Sequence, residues 1–278
     1  MNLKSVFELG YILKLASLLI AIFGAANVWA EQQDELKITR LTWAGVKIEY
    51  ANASVFIDPV GKDLWAGNAP EGLVSVESNS KINYVLITHS HNDHFDIETL
   101  KRLTGEKGYV ICHEDIATYI ASRGLRVIPV KDFMPLQRGP FIITALPAVD
   151  GFGSEQVSWL VSVAGTKVLH AGDTLWHGKW KLFGAQYGPV DVAFLPINGV
   201  IPGNSETHAV MTPKQATEVA INMAAKQVVP IHFGSVGRPN YREVKNPLQQ
   251  FRKHAERRGV NLIHLKPGDV LNLHDRTK

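Results

Sequence analysis

The segment THSHNDH, residues 88–94, is the most informative stretch of this 278-residue chain. It places three of the chain's eleven histidines next to one another and adds an aspartate. The apolar run INYVLI before it is typical of a buried strand. The segment DIETLKRLTG after it has a helical pattern, and its first residue, Asp96, is a good N-cap. A strand before the segment and a capped helix after it would hold its polar side chains in fixed positions.

The order of side chains within this segment predicts a metal site. Side chains alternate along extended backbone, so His89 and His91 point to the same side and can hold one ion. Asp93 and His94 follow and can face a second position. Imidazole and carboxylate ligands suit zinc, and also iron or manganese. The alternative, a polar loop with incidental histidines, fits this spacing poorly.

Further polar residues stand at the ends of other predicted strands. Asp150 ends ALPAVD, Asp173 follows the strand in VLHAGD, and His232 ends VVPIH. Each of them alone would suit a turn or a helix cap. Because the loops at the strand ends of a sheet converge, the three residues and the histidine segment together predict a single site.

The remaining pattern predicts one layered domain. The chain is 45% apolar and 20% charged, which is ordinary for a globular protein. Short strands come first and are followed by strands mixed with helices, which indicates an α/β or α+β architecture. The clearest helix begins at Thr212 with a capping box to Gln215. The single cysteine, Cys112, excludes an internal disulfide, and we expect it to be a buried apolar residue of a strand.

Charge patterning offers little evidence for a charged macromolecular partner. The net charge of +3 is too small to indicate nucleic acid, so we expect no such partner. Basic residues gather near the C-terminus, where we favour a solvated helix face over a rim for an anionic substrate. These residues are Arg238, Arg242, Lys245, Arg252, Lys253, Arg257 and Arg258.

The N-terminus has the three-part layout of a secretory signal peptide. Lys4 and Lys14 precede an uncharged apolar run, and Val28 and Ala30 are small residues at positions −3 and −1 of a cleavage site. We therefore predict that residues 1–30 are removed, that the mature chain is exported to the periplasm or secreted, and that it has no transmembrane helix. The alternative is an uncleaved N-terminal anchor.

The motifs THSHNDH, HAGDT and PIHFG together resemble those of the metallo-β-lactamase superfamily. The similarity runs from FIDP to PIHFG, and it is greatest for the metal-dependent hydrolases that include ascorbate-6-phosphate lactonase and the N-acylphosphatidylethanolamine phospholipase D type. The resemblance implies an α+β fold, a four-layer αββα sandwich over residues 31–278, with two divalent metal ions, zinc foremost and manganese or iron as alternatives.

The resemblance also implies roles for individual residues. One metal would take His89 and His91, and the other would take Asp93, His94 and His232. Asp173 would bridge the two, and Asp58 in FIDP would orient a ligand histidine.

One position departs from the family pattern. Asp150 stands where relatives usually have a histidine. Its carboxylate can replace that ligand, or the first metal site can be weaker, emptier or selective for a harder ion. His170, within a strand, and His177, in an aromatic loop, are less favoured replacements.

The implied chemistry is hydrolysis by a metal-bound hydroxide. Asp93 or Asp173 would orient the hydroxide or accept a proton, and His208 would donate a proton to the leaving group unless it is a surface loop histidine. We expect cleavage of a lactone or other carboxylic ester; the alternatives are a phosphodiesterase of the phospholipase D type and a non-catalytic metal-binding protein. The sequence does not predict the oligomeric state.

Aromatic residues in predicted loops have two interpretations. They could line a pocket for a small-molecule or lipid-like substrate, or they could cover the edge of the sandwich. The residues concerned are Trp65, Trp176, His177, Trp180, Phe183 and Tyr187.

Overall fold

Two β-sheets packed face to face form the centre of the protein. The computed structural model describes residues 35–61, 71–78, 80–105, 108–203, 205–235 and 238–274. The predicted signal peptide and Trp65 lie outside these residues, so the predictions made for them are not tested.

The first sheet has seven strands in the order β15-β1-β2-β3-β4-β5-β6. The strands from β15 to β3 pair antiparallel, whereas β3, β4, β5 and β6 are parallel. The carboxyl ends of these parallel strands therefore meet at one edge. The bounds are β1 Leu36–Arg40, β2 Val46–Tyr50, β3 Ala53–Ile57, β4 Ile82–Leu86, β5 Val110–His113, β6 Val127–Val130 and β15 Val270–Leu273.

The second sheet has six strands in the order β13-β11-β10-β9-β8-β7. Here β10, β11 and β13 are parallel, and β7 to β10 pair antiparallel. A small two-stranded ladder, β12 with β14, lies apart from both sheets. The bounds are β7 Leu136–Arg138, β8 Phe141–Pro147, β9 Val157–Val163, β10 Thr166–His170, β11 Val192–Pro196, β12 Ile201–Pro202, β13 Gln227–Ile231 and β14 Tyr241–Arg242.

Helices cover the outer face of each sheet. Leu100 and Ile120, from the first two helices, pack with Val85 of the first sheet. Trp180 and Phe251, from the third and fifth helices, pack against the second sheet. The bounds are α1 Ile97–Thr104, α2 Glu114–Ser122, α3 Trp180–Tyr187, α4 Pro213–Asn222 and α5 Pro247–Arg258.

A third apolar cluster fills the space between the sheets. Ile48 and Val55 of the first sheet meet Phe141, Trp159 and Val229 of the second, and all five are fully buried. Burial of such side chains is the dominant favourable term in folding. The predicted four-layer αββα architecture is therefore confirmed. Among the described helices, none combines the length and apolar character that a membrane span requires.

Local sequence signals act where they were predicted. The Asp96 side chain accepts from Thr99 N at the start of α1, and Gly105 ends that helix at a φ of 56°. The capping box of Thr212 and Gln215 opens α4. Cys112 is buried in β5, where burial raises its thiol pKa to about 12, as the prediction of an inert apolar residue requires.

The sequence predicted a loop for the aromatic residues from Trp176 to Tyr187, and this prediction was wrong for its second half. Trp180–Tyr187 forms α3, and Trp180 and Phe183 are completely buried against the second sheet. These two rings therefore cover the sandwich, as one of the two interpretations predicted. Gly184 obscured the helical pattern, but it is needed because a Cβ there would lie 1.7 Å from the Asn222 carbonyl oxygen. Trp176 is exposed.

Candidate metal centre

The predicted metal-binding residues and Asp58 all follow strands at one edge of the sandwich. Asp58 follows β3, and residues 89–94 follow β4 of the first sheet. Asp150 follows β8, Asp173 follows β10, and His232 follows β13 of the second sheet. The face-to-face packing of the two sheets brings these strand ends together.

The seven predicted metal ligands form three overlapping groups. Within each group one nitrogen or oxygen of every side chain lies within 4.8 Å of the others. Two of the groups share no member, and the third takes His89 from one and His94 from the other and adds Asp173. The groups are His89, His91 and Asp150; Asp93, His94 and His232; and His89, His94 and Asp173.

The spacing of the ligand atoms suits metal coordination. The Asp173 carboxylate lies 3.4 Å from His89 Nε2 and 3.5 Å from His232 Nε2. His232 Nε2 is 3.7 Å from the Asp93 carboxylate. Bonds of 2.0–2.2 Å in a tetrahedral zinc site put neighbouring ligand atoms about 3.3–3.6 Å apart.

Buried ring nitrogens provide an independent indication of a metal. Nε2 of His89, Nε2 of His94 and both ring nitrogens of His232 find no hydrogen-bond partner among the described residues. A buried polar atom without a partner is costly, so such atoms require an explanation. Ring nitrogens that face nearby carboxylates fit a cation between them, and these residues therefore fit a divalent metal.

Asp58 lies beneath the centre and contacts one predicted ligand, His94. Its Oδ2 is 2.8 Å from His94 Nδ1, which leaves Nε2 of that histidine facing the centre. Thr88 donates to the same carboxylate through its backbone N–H and its hydroxyl, at 2.8 and 2.6 Å. Asp58 is fully buried and has a φ of 45°, a left-handed conformation that costs free energy in a non-glycine residue. This is the place that the family resemblance implied for Asp58.

The ligand group around His91 differs from the others. Its Nε2 is 2.7 Å from the Ser154 hydroxyl, and its side chain is 30% exposed. Asp150 lies 3.6 Å from His91 but also accepts backbone N–H groups from Phe152 and Ser154, at 2.8 and 2.9 Å. Asp150 therefore caps a turn and also lies within reach of a metal. These atoms already have protein partners, unlike Nε2 of His94 and both ring nitrogens of His232.

Two contacts of the centre were not predicted from the sequence. Ser154 meets His91 from the loop after β8. The Gln156 amide fits best with its nitrogen 2.6 Å from Asp173 Oδ1 and 3.0 Å from His89 Nδ1. Neither residue ends a strand or belongs to a motif, so no sequence signal distinguished them.

Burial and charge set the protonation of the ligands. Burial lowers the pKa of His89, and it lowers that of His232 to about 4, so both rings are neutral and ready to bind a cation. Burial acts in the same direction on His94, but the carboxylates of Asp58, Asp173 and Asp93 outweigh it and raise the pKa to about 9.

The pKa values of Asp173 and Asp93 shift in opposite directions. Burial, together with neighbouring carboxylates, raises the pKa of Asp173 well above its ordinary value. Burial has the same tendency at Asp93, but the adjacent His232 and the charge of His94 outweigh it and hold its pKa below the usual range. In the metal-free protein His94 therefore carries a proton that a metal must displace.

The other histidines considered from the sequence have different surroundings. His170 is fully buried, and its two ring nitrogens contact the Ala44 carbonyl and the Gly172 N–H. His177 packs on the Trp180 ring. His208 contacts the Gly199 carbonyl through Nδ1 and belongs to none of the three ligand groups, so its catalytic role stays a prediction.

A chamber of about 170 Å³ opens directly above the ligand groups. Asp93 and Asp173 line its floor side, together with His91. Phe152 and Tyr241, whose rings stack with an interplanar angle of 5°, form an aromatic wall. A substrate bond placed here would lie next to the metal-binding residues.

Comparison with known proteins agrees with this geometry. A family model described as the beta-lactamase superfamily domain matches residues 53–233. A UPF0173 metal-dependent hydrolase of Rubrobacter xylanophilus is 30% identical over 264 residues, which cover 86% of this chain and 98% of the relative.

Solved structures share the fold. Igni18, a metallo hydrolase from Ignicoccus hospitalis, superposes with a TM-score of 0.69 at 23% identity, over 86% of this chain and 99% of that one. CmlA, a diiron β-hydroxylase from Streptomyces venezuelae, gives a TM-score of 0.67 at 19% identity, over 88% of this chain and 55% of that one. The chain therefore belongs to the metallo-β-lactamase superfamily, as one of its metal-dependent hydrolases.

Proposed function

We propose that this hydrolase opens a lactone or cleaves another carboxylic ester of a small or lipid-like molecule. The observation that carries the proposal is the pair of ligand groups with the Asp173 carboxylate close to a histidine of each, His89 and His232, and with buried ring nitrogens facing carboxylates. His89, His91 and Asp150 would hold one divalent ion, and Asp93, His94 and His232 would hold the other.

The donor set favours zinc, with manganese and iron as alternatives. Imidazole suits zinc and iron, whereas carboxylates also accept harder ions such as manganese. The diiron centre of CmlA supports iron as an alternative in this fold. When bound, such ions supply a nucleophilic water at neutral pH and stabilise negative charge on a substrate oxygen.

The residues of the chamber support attack by water. The described residues that line it include no serine or cysteine, and the Cys112 thiol is buried elsewhere in β5. Asp93 and Asp173 both line the chamber, so either can orient the attacking water or accept its proton. We keep His208 as the proposed proton donor to the leaving group because its neighbour Ala209 accepts from Gly151 N, beside Asp150.

Phosphodiester hydrolysis is the second candidate. It is favoured by one observation, the guanidinium of Arg238 in the wall of the same chamber. Arginine binds phosphate oxygens as readily as it binds carboxylates.

Metal analysis combined with a substrate panel tests the proposal. We expect about two metal ions per chain and hydrolysis of lactones or carboxylic esters in preference to phosphodiesters. The His89→Ala, His91→Ala double variant should lose at least one ion and most activity. His208→Ala is the matched control and should keep its metal.

Two results would contradict the assignment. Wild-type metal content in the double variant would remove the histidine pair from the ligand set. Hydrolysis of phosphodiesters without hydrolysis of lactones or esters would favour the second candidate.

A further inference from the structure

Two cavities meet above the metal-binding residues. The chamber of about 170 Å³ adjoins a groove of about 690 Å³. The groove runs along the start of α1 and reaches Tyr119 of α2 and Arg123, the residue just after that helix. Asn92, Asp93 and Arg238 line both cavities. Arg238 therefore stands where the chamber opens into the groove. It does not lie on the solvated helix face that we favoured for it from the sequence, because that helix, α5, begins at Pro247.

The position of the Arg238 side chain is set by an aromatic neighbour. Its guanidinium lies 5.0 Å from the centre of the Tyr241 ring, and the Tyr241 hydroxyl accepts from Asn198 Nδ2 at 2.9 Å. Arg238 Nη1 is 4.0 Å from the Asp93 carboxylate. The side chain is 38% exposed, so a ligand in the cavities can reach it. Arginine remains charged at every accessible pH and presents a planar fork of donors.

The carboxylates of the groove have partners of their own. Asp96 accepts from Gly61 N and from the Thr99 hydroxyl, and Glu98 lies 3.7 Å from Lys101 Nζ. Their charges therefore repel an incoming anion less than bare carboxylates would. The third carboxylate of the groove, Asp93, belongs to a ligand group, where a cation would share its charge.

We propose that Arg238 binds an anionic group of the substrate, a carboxylate or a phosphate close to the bond that is hydrolysed. Given the proposed function, on which this inference rests, the substrates are anionic lactones or esters. The anion would lie at the opening of the chamber on the guanidinium, with the scissile bond inside the chamber. An arginine on an aromatic ring suits this task because its fork matches the oxygens of either anion.

Binding of matched probes tests the anion site without any reaction. The probes are benzoate, phenylphosphonate and neutral benzamide, and their dissociation constants are measured by NMR titration of the zinc-loaded protein. Arg238→Met should weaken binding of at least one anion by about 10- to 100-fold and change benzamide binding by less than about threefold. Benzoate and phenylphosphonate distinguish a carboxylate site from a phosphate site.

The control variants separate the effect of charge from the effect of folding or metal. Arg242→Met removes an arginine whose guanidinium contacts the Ser205 carbonyl and which lines neither cavity, so probe binding should not change. Metal content is measured in every variant, since anions also bind metal ions and that contribution must be equal. Arg238→Gln replaces Arg238→Met if the latter does not fold.

Kinetics then connect the anion site to the proposed reaction. The substrates are a five-membered lactone that carries a carboxylate substituent on its ring and the neutral analogue that carries a carboxamide in its place. Wild-type protein should have the higher kcat/KM on the carboxylate, and Arg238→Met should abolish that preference. If neither lactone is hydrolysed while Arg238-dependent anion binding persists, the lactonase proposal fails and the anion site stands. Anion binding that is equal in wild type and Arg238→Met would overturn the site.

Discussion

At the scale of a single residue, Asp150 contacts both a turn and a predicted metal ligand. Its carboxylate accepts two backbone N–H groups of the following turn and also lies 3.6 Å from His91. In the group around Asp93, His94 and His232, by contrast, the ring nitrogens that face the centre have no competing protein partner among the described residues. We therefore expect the two metal positions to differ in affinity, with the His91 position the weaker.

Substitution of Asp150 tests this predicted difference in metal affinity between the two positions. Asp150→Asn keeps an acceptor for the turn but removes the negative charge, and it should weaken one metal by at least about tenfold while the other is retained. Asp150→His should retain both ions, because imidazole is a good zinc ligand. Titration of metal into the chelated proteins measures both affinities. If Asp150→Asn leaves both metal affinities unchanged, Asp150 only caps the turn, and its contribution to the free energy of unfolding is roughly 1 kcal/mol.

The protonation of His94 predicts how metal affinity depends on pH. Because its pKa is about 9 in the metal-free protein, binding at pH 7 must release the proton on Nε2. Affinity should therefore rise by about tenfold per pH unit up to pH 9 for each proton displaced. Competition with a chelator of known affinity, measured from pH 6.5 to 9.5, gives the slope.

The raised pKa of His94 also predicts that the stability of the metal-free protein falls as the pH rises, whereas its metal affinity increases. The native pKa of about 9 exceeds the ordinary value of 6.5, so protonated His94 stabilises the fold below pH 6.5. That contribution is lost as the pH rises through 9. Asp58→Asn is the control, because it removes the contact that holds the proton. A pH-independent affinity in wild type would contradict the assignment of His94 as a ligand.

At the scale of the element, turns and caps place the site residues. His232 directly follows β13; its φ of 55° turns the chain, and its ring lies 4.3 Å from the Trp43 ring. Asp96 begins α1 directly after the histidine segment and also accepts from Gly61 N, which ties this segment to the loop after β3. These ends, more than the strand interiors, determine where the ligands lie.

The capping box of α4 provides a test of stability that is separate from the metal centre. Thr212→Ala removes the acceptor for Gln215 N and should lower the free energy of unfolding by about 1 kcal/mol. Urea unfolding measures the change, and metal affinity should stay at its wild-type value. Thr212→Ser, which keeps the hydroxyl, is the matched control. A loss of metal on Thr212→Ala would show that α4 supports the centre more directly than its position implies.

At the scale of the whole molecule, the sandwich assembles a site from both sheets. The first sheet supplies residues 89–94 and Asp58, and the second supplies Asp150, Asp173 and His232. Because parallel strands dominate at this edge of each sheet, their carboxyl ends converge there. Neither sheet alone carries a complete ligand group, since every group includes residues of both.

Export of the whole chain is a proposal that rests on its N-terminal segment. We propose that a signal peptidase cleaves after Ala30, so mass spectrometry of exported protein should find Glu31 as the first residue. Ala30→Phe should block processing, because the −1 position accepts small residues. Ala26→Phe, upstream of the cleavage site, is the control. Exported protein that still begins at Met1 would favour the uncleaved anchor.

The sequence by itself determined the set of candidate ligands and a layered α/β or α+β domain, because these depend on local patterns: apolar strands, caps such as Asp96, and polar residues at strand ends. The family and its four layers followed from the resemblance of the motifs THSHNDH, HAGDT and PIHFG to those of the metallo-β-lactamase superfamily. Tertiary structure alone showed that Asp150 is shared between a turn and His91, that Gln156 and Ser154 contact the centre, and that Arg238 stands at the mouth of the chamber. These contacts join residues far apart in the chain or in loops without a periodic pattern, so only the packing of the two sheets decides them.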